Sequence, residues 1–286
     1  MDTANDNIKI TPQFISLEKI IASKNPRLLR IIPKFLLTWF KKFICLDRIN
    51  EIIYKYRDYK GVDFADALLD ELKIQRKIIN KQNIPLEGRP LVVANHPLGS
   101  IDGVTLISIM GTKRKDVLFP VNDILCQLPG LKSVFIPINK YGRNTENHNA
   151  LNEAFAGNAA MCFFPAGTES KIIKGKFQDF AWKKSFVKKA QQFNRDIVPV
   201  YIEGINSKAF YRLYKIRHFF GIKFDLEMIM LPREMFKQEG KTITLTFGKA
   251  IPHGILDSRY NALQWADKIR THVYKFKDNP NEEFSF

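Results

Sequence analysis

Cysteine is scarce: three residues in 286, Cys45, Cys126 and Cys162, with no CxxC pair among them. An odd, scattered set excludes a disulfide framework and a zinc ribbon, and fits a reducing compartment. No uncharged apolar run reaches the ~18–20 residues that a membrane-spanning helix requires. The opening residues, Met1 to Gln13, lack a basic region followed by an apolar stretch, so no signal peptide is expected. No HExxH or similar pairing of histidines occurs, so no metal is expected, and His148, His218, His253 and His272 are given no role. There is no Gly-x-Ser-x-Gly elbow for a serine nucleophile. Internal repeats and low-complexity tracts are also missing. Acidic residues are few, 29 against 45 basic, leaving a net charge of +16. Such an excess points to an anionic partner: nucleic acid, a membrane surface or an acidic carrier. Base-reading and base-stacking motifs are absent and the aromatics sit among aliphatics, so nucleic acid is not expected.

What is present is enough for a full core, with 45% apolar and 12% aromatic residues. Residues 15–82 read as helices, and in Gly61–Asp66 the Asp63 side chain is expected to cap a helix whose Phe64, Leu68 and Leu72 share a face. Beyond them, short apolar runs alternate with helical patterns. Leu91–Ala94, Val117–Val121, Val134–Ile138, Met161–Phe164 and Ile197–Ile202 read as buried strands. Thr242–Phe247 alternates, as suits a strand with one exposed face. Ile101–Met110, Asn147–Ala156, Ala181–Phe193 and Ala262–Tyr274 read as helices. The fold class is α/β: a mixed, largely parallel sheet flanked by helices, with an N-terminal helical region. The expected division is residues 1–82, helical and membrane-associating, and 83–286, the α/β core, together one structural domain.

From Lys19 to Leu46 the chain carries Lys19, Lys24, Arg27, Arg30, Lys34, Lys41 and Lys42 and no acid, interleaved with Leu28, Leu29, Phe35, Leu36, Trp39, Phe40 and Phe43. Pro33 should break the segment. The pattern suits an interfacial helix whose apolar face enters a membrane while its cations reach anionic headgroups. Arg30, Lys34, Trp39, Phe40, Lys41 and Lys42 are its candidate membrane residues. An ordinary amphipathic helix packed on the core is the alternative.

The richest stretch is Val92 to Gly103. A buried strand ends at Asn95, and a helix begins near Ser100, the expected N-cap. His96 therefore lies at a strand's carboxyl end, where open α/β sheets place their ligands. Asp102, in the first helical turn, leans back toward the loop, and Gly99 permits the required twist. A carboxylate on one ring nitrogen fixes the tautomer and frees the other to take a proton. The competing reading is a turn histidine beside an aspartate that complements the helix dipole.

Three later segments bear on that choice. Gly130 to Ile138 is a glycine turn into a strand, followed by Asn139, Lys140 and Arg143, whose guanidinium suits a phosphate or carboxylate. Phe163 to Ser170 is a strand stopped by Pro165 and opened by Gly167, with hydroxyls and amides suited to an anion, followed by Lys171, Lys174 and Lys176. Ile197 to Gly204 adds another strand and turn.

In order and spacing, these four blocks resemble the glycerolipid or lysophospholipid acyltransferases of the phosphatidate-forming type, from Pro90 to Pro252. The family's Asn-His, four residues, Asp appears as Asn95-His96 and, after five, Asp102. Its Gly-x-x-Phe-Ile-x-Arg is approximated by Gly130, Phe135-Ile136 and a displaced Arg143. Its Phe-Pro-Glu-Gly-Thr appears as Phe164-Pro165-Ala166-Gly167-Thr168, with Ala166 in place of the glutamate. Val198-Pro199-Val200 matches its fourth block. The forms His-Pro-Leu-Gly-x-x-Asp-Gly and Phe-Pro-Ala-Gly resemble a bacterial haemolysin-like subgroup that includes aminolipid O-acyltransferases.

The resemblance implies an O-acyltransferase working peripherally at the cytoplasmic face of a membrane. It would carry an acyl group from acyl carrier protein or CoA thioester, as co-substrate rather than cofactor, to the hydroxyl of a lyso-lipid. His96 would be the general base and Asp102 its orienter. Arg143, Gly167 and Thr168, with Lys140, Asn95 and Glu169, would line the acceptor site, and the oxyanion would meet amides at the loop or helix start. Ala166 implies an acceptor other than lysophosphatidate. Two rivals stay open: a catalytically inert lipid-binding protein of the same fold, and a hydrolase releasing acyl groups to water.

Overall fold

The computed structural model describes residues 13–122, 125–138, 145–173, 175–222 and 225–285. Five helices come first: α1 (Leu17–Lys24), α2 (Pro26–Ile31), α3 (Lys34–Phe43), α4 (Leu46–Lys55) and α5 (Val62–Glu71). Then follow β1 (Gln75–Ile79), β2 (Leu91–Ala94), α6 (Ile101–Gly111), β3 (Val117–Asn122), β4 (Phe135–Ile138), α7 (Thr145–Ala156) and β5 (Ala160–Phe163). The chain continues through β6 (Lys171–Ile173), β7 (Lys176–Gln178), α8 (Ser185–Phe193), β8 (Ile197–Ile202), α9 (Lys208–Phe219), α10 (Leu231–Phe236), β9 (Thr242–Phe247) and α11 (Ala262–Lys275).

Among the described residues, seven strands form one sheet in the order β1-β9-β8-β2-β5-β3-β4. Every neighbouring pair is parallel except β8 and β9. The sheet is therefore mixed and largely parallel, as its run of Val and Ile strands separated by helices requires. Strand periodicity divides the core. Val92, Ala94, Val198, Val200 and Ile202 face a cluster holding Phe64 and Leu68 of α5 and Leu106 and Ile109 of α6. Leu91, Val93, Ile197 and Tyr201 face one holding Phe155 of α7, Phe186 of α8 and Trp265, Ile269 and Val273 of α11.

Three expectations need correction. Residues 15–82 are not all helical, because β1 pairs in parallel with β9. Gln-Arg-Lys-Ile-Ile hides this: an edge strand carries charges, and Arg76 turns back to Asp66 at 3.0 Å and Asp70 at 2.6 Å. With β1 outside it, β9 is an interior strand, and it is buried from Ile243 to Phe247 rather than exposed along one face. Asp63 caps nothing; it sits within the first turn of α5 and pairs with Lys115 at 2.8 Å. Lys171 and Lys176, which follow the loop after β5, belong to a small antiparallel hairpin, β6–β7. Lys174 lies outside the described residues.

At the N-terminus Pro33 divides the basic segment as expected, standing at the N-cap of α3. No residue of α3 is buried. Phe35 is 75% and Trp39 57% exposed. Arg30, Lys34 and Lys42 are also exposed, Phe40 is half-buried, and Lys41 reaches Glu18 of α1 at 2.5 Å. Among the described residues no helix is long and apolar enough to cross a membrane.

Candidate active site

β8, β2 and β5 are parallel neighbours near the middle of the sheet, so their carboxyl ends release three loops side by side. The middle loop carries His96. Asn95, just past β2, is buried and both halves of its amide are engaged: Nδ2 donates to Ile202 O at 2.9 Å and Oδ1 accepts from Ile202 N at 2.7 Å. Asn95 thus fastens the end of β2 to the end of β8, with both halves of its amide engaged there.

The loop turns through Gly99, whose φ of +76° suits glycine. A side chain there would crowd Leu231 and Glu169. That turn absorbs the fifth residue between His96 and Asp102, and His96 Nδ1 stands 2.9 Å from Asp102 Oδ2. Asp102, with no exposed surface, also accepts from Leu98 N at 2.9 Å, Gly99 N at 3.2 Å and Gly103 N at 3.0 Å. Asp102, rather than the expected Ser100, therefore satisfies the loop and helix start; Ser100 makes no side-chain cap. These three amides are taken up and are not free to hold an oxyanion.

The electrostatics follow from this arrangement. Burial pushes the Asp102 carboxyl up, but His96 and the amides outweigh it and hold it below the ordinary carboxylate value. Burial pushes the His96 imidazole down, and the facing Asp102 charge outweighs that and raises it. With Nδ1–H donating to Asp102, Nε2 is the nitrogen that can take a proton. The His96 side chain is 16% exposed. Phe164 lies flat against its ring, with centroids 3.9 Å apart and planes 17° apart, and Phe119 backs Phe164 at 5.0 Å.

The loop after β5 forms the second wall. Gly167 (φ +70°) is its exposed tip, and Lys183 lies so close that a Cβ on Gly167 would come 2.8 Å from Nζ. Thr168 Oγ1 donates to Glu169 Oε2 at 2.9 Å. Glu169 is not at the surface. It is 2% exposed and bonded to Lys171, whose ammonium also reaches Glu227 at 3.0 Å. Desolvation pushes Glu169 up, and Lys171 outweighs it, holding the carboxyl low. Ala166 packs inward with Trp182 and Phe186. Lys140 and Arg143 lie outside the described residues.

Sequence reasoning missed Asp179. Its Oδ1 accepts from His96 N at 3.3 Å and from Ser170 Oγ at 2.5 Å, while Oδ2 accepts from Trp182 Nε1 at 2.8 Å. Ser170 N in turn donates to His96 O at 2.7 Å. The main chain of His96 is thus held at both its N–H and its C=O. The third wall, after β8, brings Asn206 Nδ2 to Leu98 O at 3.2 Å. Among the described residues no group of three or more His, Cys, Asp or Glu side chains is arranged to hold a metal.

The site is an imidazole–carboxylate pair at the carboxyl edge of a mixed α/β sheet, an arrangement chemically able to take a proton from a hydroxyl. More specifically, this chain belongs to the acyltransferase family, which matches residues 19–281, and it is an acyltransferase. A lyso-glycine lipid O-acyltransferase of Bacteroides thetaiotaomicron is 39% identical over 264 residues, 92% of this chain and 97% of that protein. One of Phocaeicola vulgatus is 38% identical over 264 residues, 92% of this chain and 95% of its own length. The crystal structure of the 1-acyl-sn-glycerophosphate acyltransferase PlsC from Thermotoga maritima aligns with a TM-score of 0.46 at 17% identity, covering 85% of this chain and 95% of that one. The resemblance drawn from the four sequence blocks agrees with this family.

Proposed function

We propose that this protein transfers a fatty acyl group from an acyl thioester to the hydroxyl of a lyso-lipid at the cytoplasmic face of a membrane. The names of the relatives favour a lyso-aminolipid, a lyso-glycine lipid first, as acceptor. The observation that carries the mechanism is the 2.9 Å contact between His96 Nδ1 and Asp102 Oδ2.

In the reaction, His96 Nε2 takes the hydroxyl proton as the oxygen bonds to the thioester carbonyl carbon. The tetrahedral intermediate then collapses, the carbon–sulfur bond breaks, and the imidazolium returns its proton to the leaving thiolate. General base catalysis of this kind contributes ~10²–10⁴-fold. Asp102 orients the ring and stabilises the imidazolium. The chemistry needs no metal or bound cofactor. The donor is acyl carrier protein or CoA; both are anionic, and the surplus of positive charge assists encounter with either. Gly167, Thr168 and Arg143 remain the residues read as holding the acceptor's acidic group, and Lys183 beside Gly167 supplies a further cation.

The test is to incubate the purified full chain with lyso-glycine lipid and acyl donor, and to follow the acylated product by mass spectrometry. Product formation that disappears in a folded His96→Ala variant is the expected result. Normal turnover by that variant removes the mechanism, and release of free fatty acid without acylated lipid makes the protein a hydrolase.

A further inference from the structure

α9 stands at one end in the protein and at the other in solvent. Phe210 and Tyr211, near its start, are buried with Met230. At its far end Phe219 is 84% and Phe220 70% exposed, and Ile216 and Ile222 are exposed beside them. Nine residues of helix separate Phe210 from Phe219, about 13 Å. Arg212, Lys215, Ile216 and Phe219 follow the i, i+3, i+4, i+7 spacing, and all four are exposed, so they form one outward stripe. The stripe is graded, with cations nearer the protein and apolar groups at the tip. No acid occurs between Ser207 and Ile222.

α3 has the same plan and shares the same root. Phe43, at its end, packs against the cluster of Phe210, Tyr211 and Met230, with the Arg233 guanidinium 5.1 Å from its ring centroid. Phe35 and Trp39, further along, are exposed.

We infer that the α9 tip, Ile216, Phe219, Phe220 and Ile222 backed by Arg212 and Lys215, is a second membrane-inserting element that seats the protein on an anionic bilayer together with α3. This deepens the membrane-surface reading above and rests on it. Aromatic rings enter the acyl boundary while cations one turn back reach phosphate headgroups. An acidic carrier protein would be met by cations at the outermost positions, and here those positions are apolar. Arg217 serves a different purpose: it ties α9 to Glu227 at 3.0 Å and keeps the helix attached to its neighbours.

The experiment is co-sedimentation of the full chain with phosphatidylcholine vesicles, with and without phosphatidylglycerol. Phe219→Ser/Phe220→Ser should partition at least about tenfold more weakly, because interfacial binding scales with inserted apolar area. Arg212→Ser/Lys215→Ser should lose the preference for anionic vesicles. Both should keep wild-type turnover on a short-chain, water-soluble lyso-lipid. Vesicle binding unchanged in the Phe219/Phe220 variant overturns the inference, as does a loss confined to acyl carrier protein binding without vesicles, or a loss of self-association. A parallel Phe35→Ser/Trp39→Ser variant separates the two claims. If it alone detaches, α3 is the membrane contact and the α9 inference fails. If neither variant detaches, the membrane-surface reading fails with it. Absence of acyl transfer would sink the proposed function without touching the vesicle result.

Discussion

The main-chain nitrogen of His96 donates to the buried carboxylate of Asp179, 83 residues further along the chain, at 3.3 Å. Burial pushes the Asp179 carboxyl above its ordinary value, while Ser170, Trp182 and His96 pull against that. Asparagine at this position offers one acceptor oxygen to three donors, and a buried donor left unpaired costs about 1–3 kcal/mol. Asp179→Asn should therefore lower kcat by roughly tenfold or more, as a displaced base does. KM should stay near wild type, while the titration midpoint of His96 should move down only in part, because the Asp179 charge helps to raise it but Asp102 is untouched. A variant that loses only thermal stability, with kcat intact, would leave Asp179 a structural residue.

In the proposed reaction the pH profile should report the pair of His96 and Asp102. There the base acts as neutral imidazole, and Asp102 raises the pH at which it becomes neutral. Turnover should accordingly rise with pH through a value above that of an ordinary histidine. Asp102→Asn removes the opposing charge, so its residual activity should be lower by ~10²-fold or more and its acid limb should move to lower pH. An acid limb that stays in place would mean that another group governs it.

These two cases show what was legible in the sequence. Interior strands such as Leu91–Ala94 and Ile197–Ile202 announce themselves because burial on both faces demands an unbroken run of branched residues. The pairing of His96 with Asp102 was visible because both lie on one short loop, although the fifth intervening residue required the positive φ of Gly99 to be seen. Asp179 was not legible. Its partner is reached through tertiary folding, and nothing about an Asp after Gln178 marks it. β1 and the β6–β7 hairpin were hidden by their charges, since edge strands and hairpins need little apolar periodicity. Glu169 was read as lining the acceptor site, and its burial beside Lys171 is a property of the pair that neither residue displays alone.

That buried pair gives a stability prediction. Lys171 is 2% exposed, faces Glu169 and Glu227, and lies 4.7 Å from the centroid of the Phe210 ring. Lys171→Met would leave Glu169 buried without its ammonium, while Glu227 keeps Arg217, at a cost of about 3–5 kcal/mol. Adding Glu169→Gln should recover part of it. Denaturant unfolding measures both; additive losses in the double variant would argue against coupling.

His272 should contribute to the acid sensitivity of the fold. It is buried against Phe276 and Phe284, and burial pushes its pKa down to about 4. The unfolded chain takes up this proton first as pH falls below about 6.5, so stability is lost between there and pH 4. The loss attributable to this residue is about 3 kcal/mol. His272→Leu should show a shallower decline over the same interval in urea unfolding at stepped pH; an identical slope would assign the sensitivity elsewhere.

Arg195 sits at the opposite end of the sheet, fully buried, its guanidinium held by the carbonyl oxygens of Pro90, Ala154, Phe155, Gly157 and Ala159. Pro90 immediately precedes β2, and β2 is only four residues long. A slip of one position there would displace the imidazole by roughly 3.3 Å and turn it to the sheet's other side. In the proposed reaction, the height at which the imidazole meets its substrate is thus gauged from beneath, by a cation at the far end of the sheet.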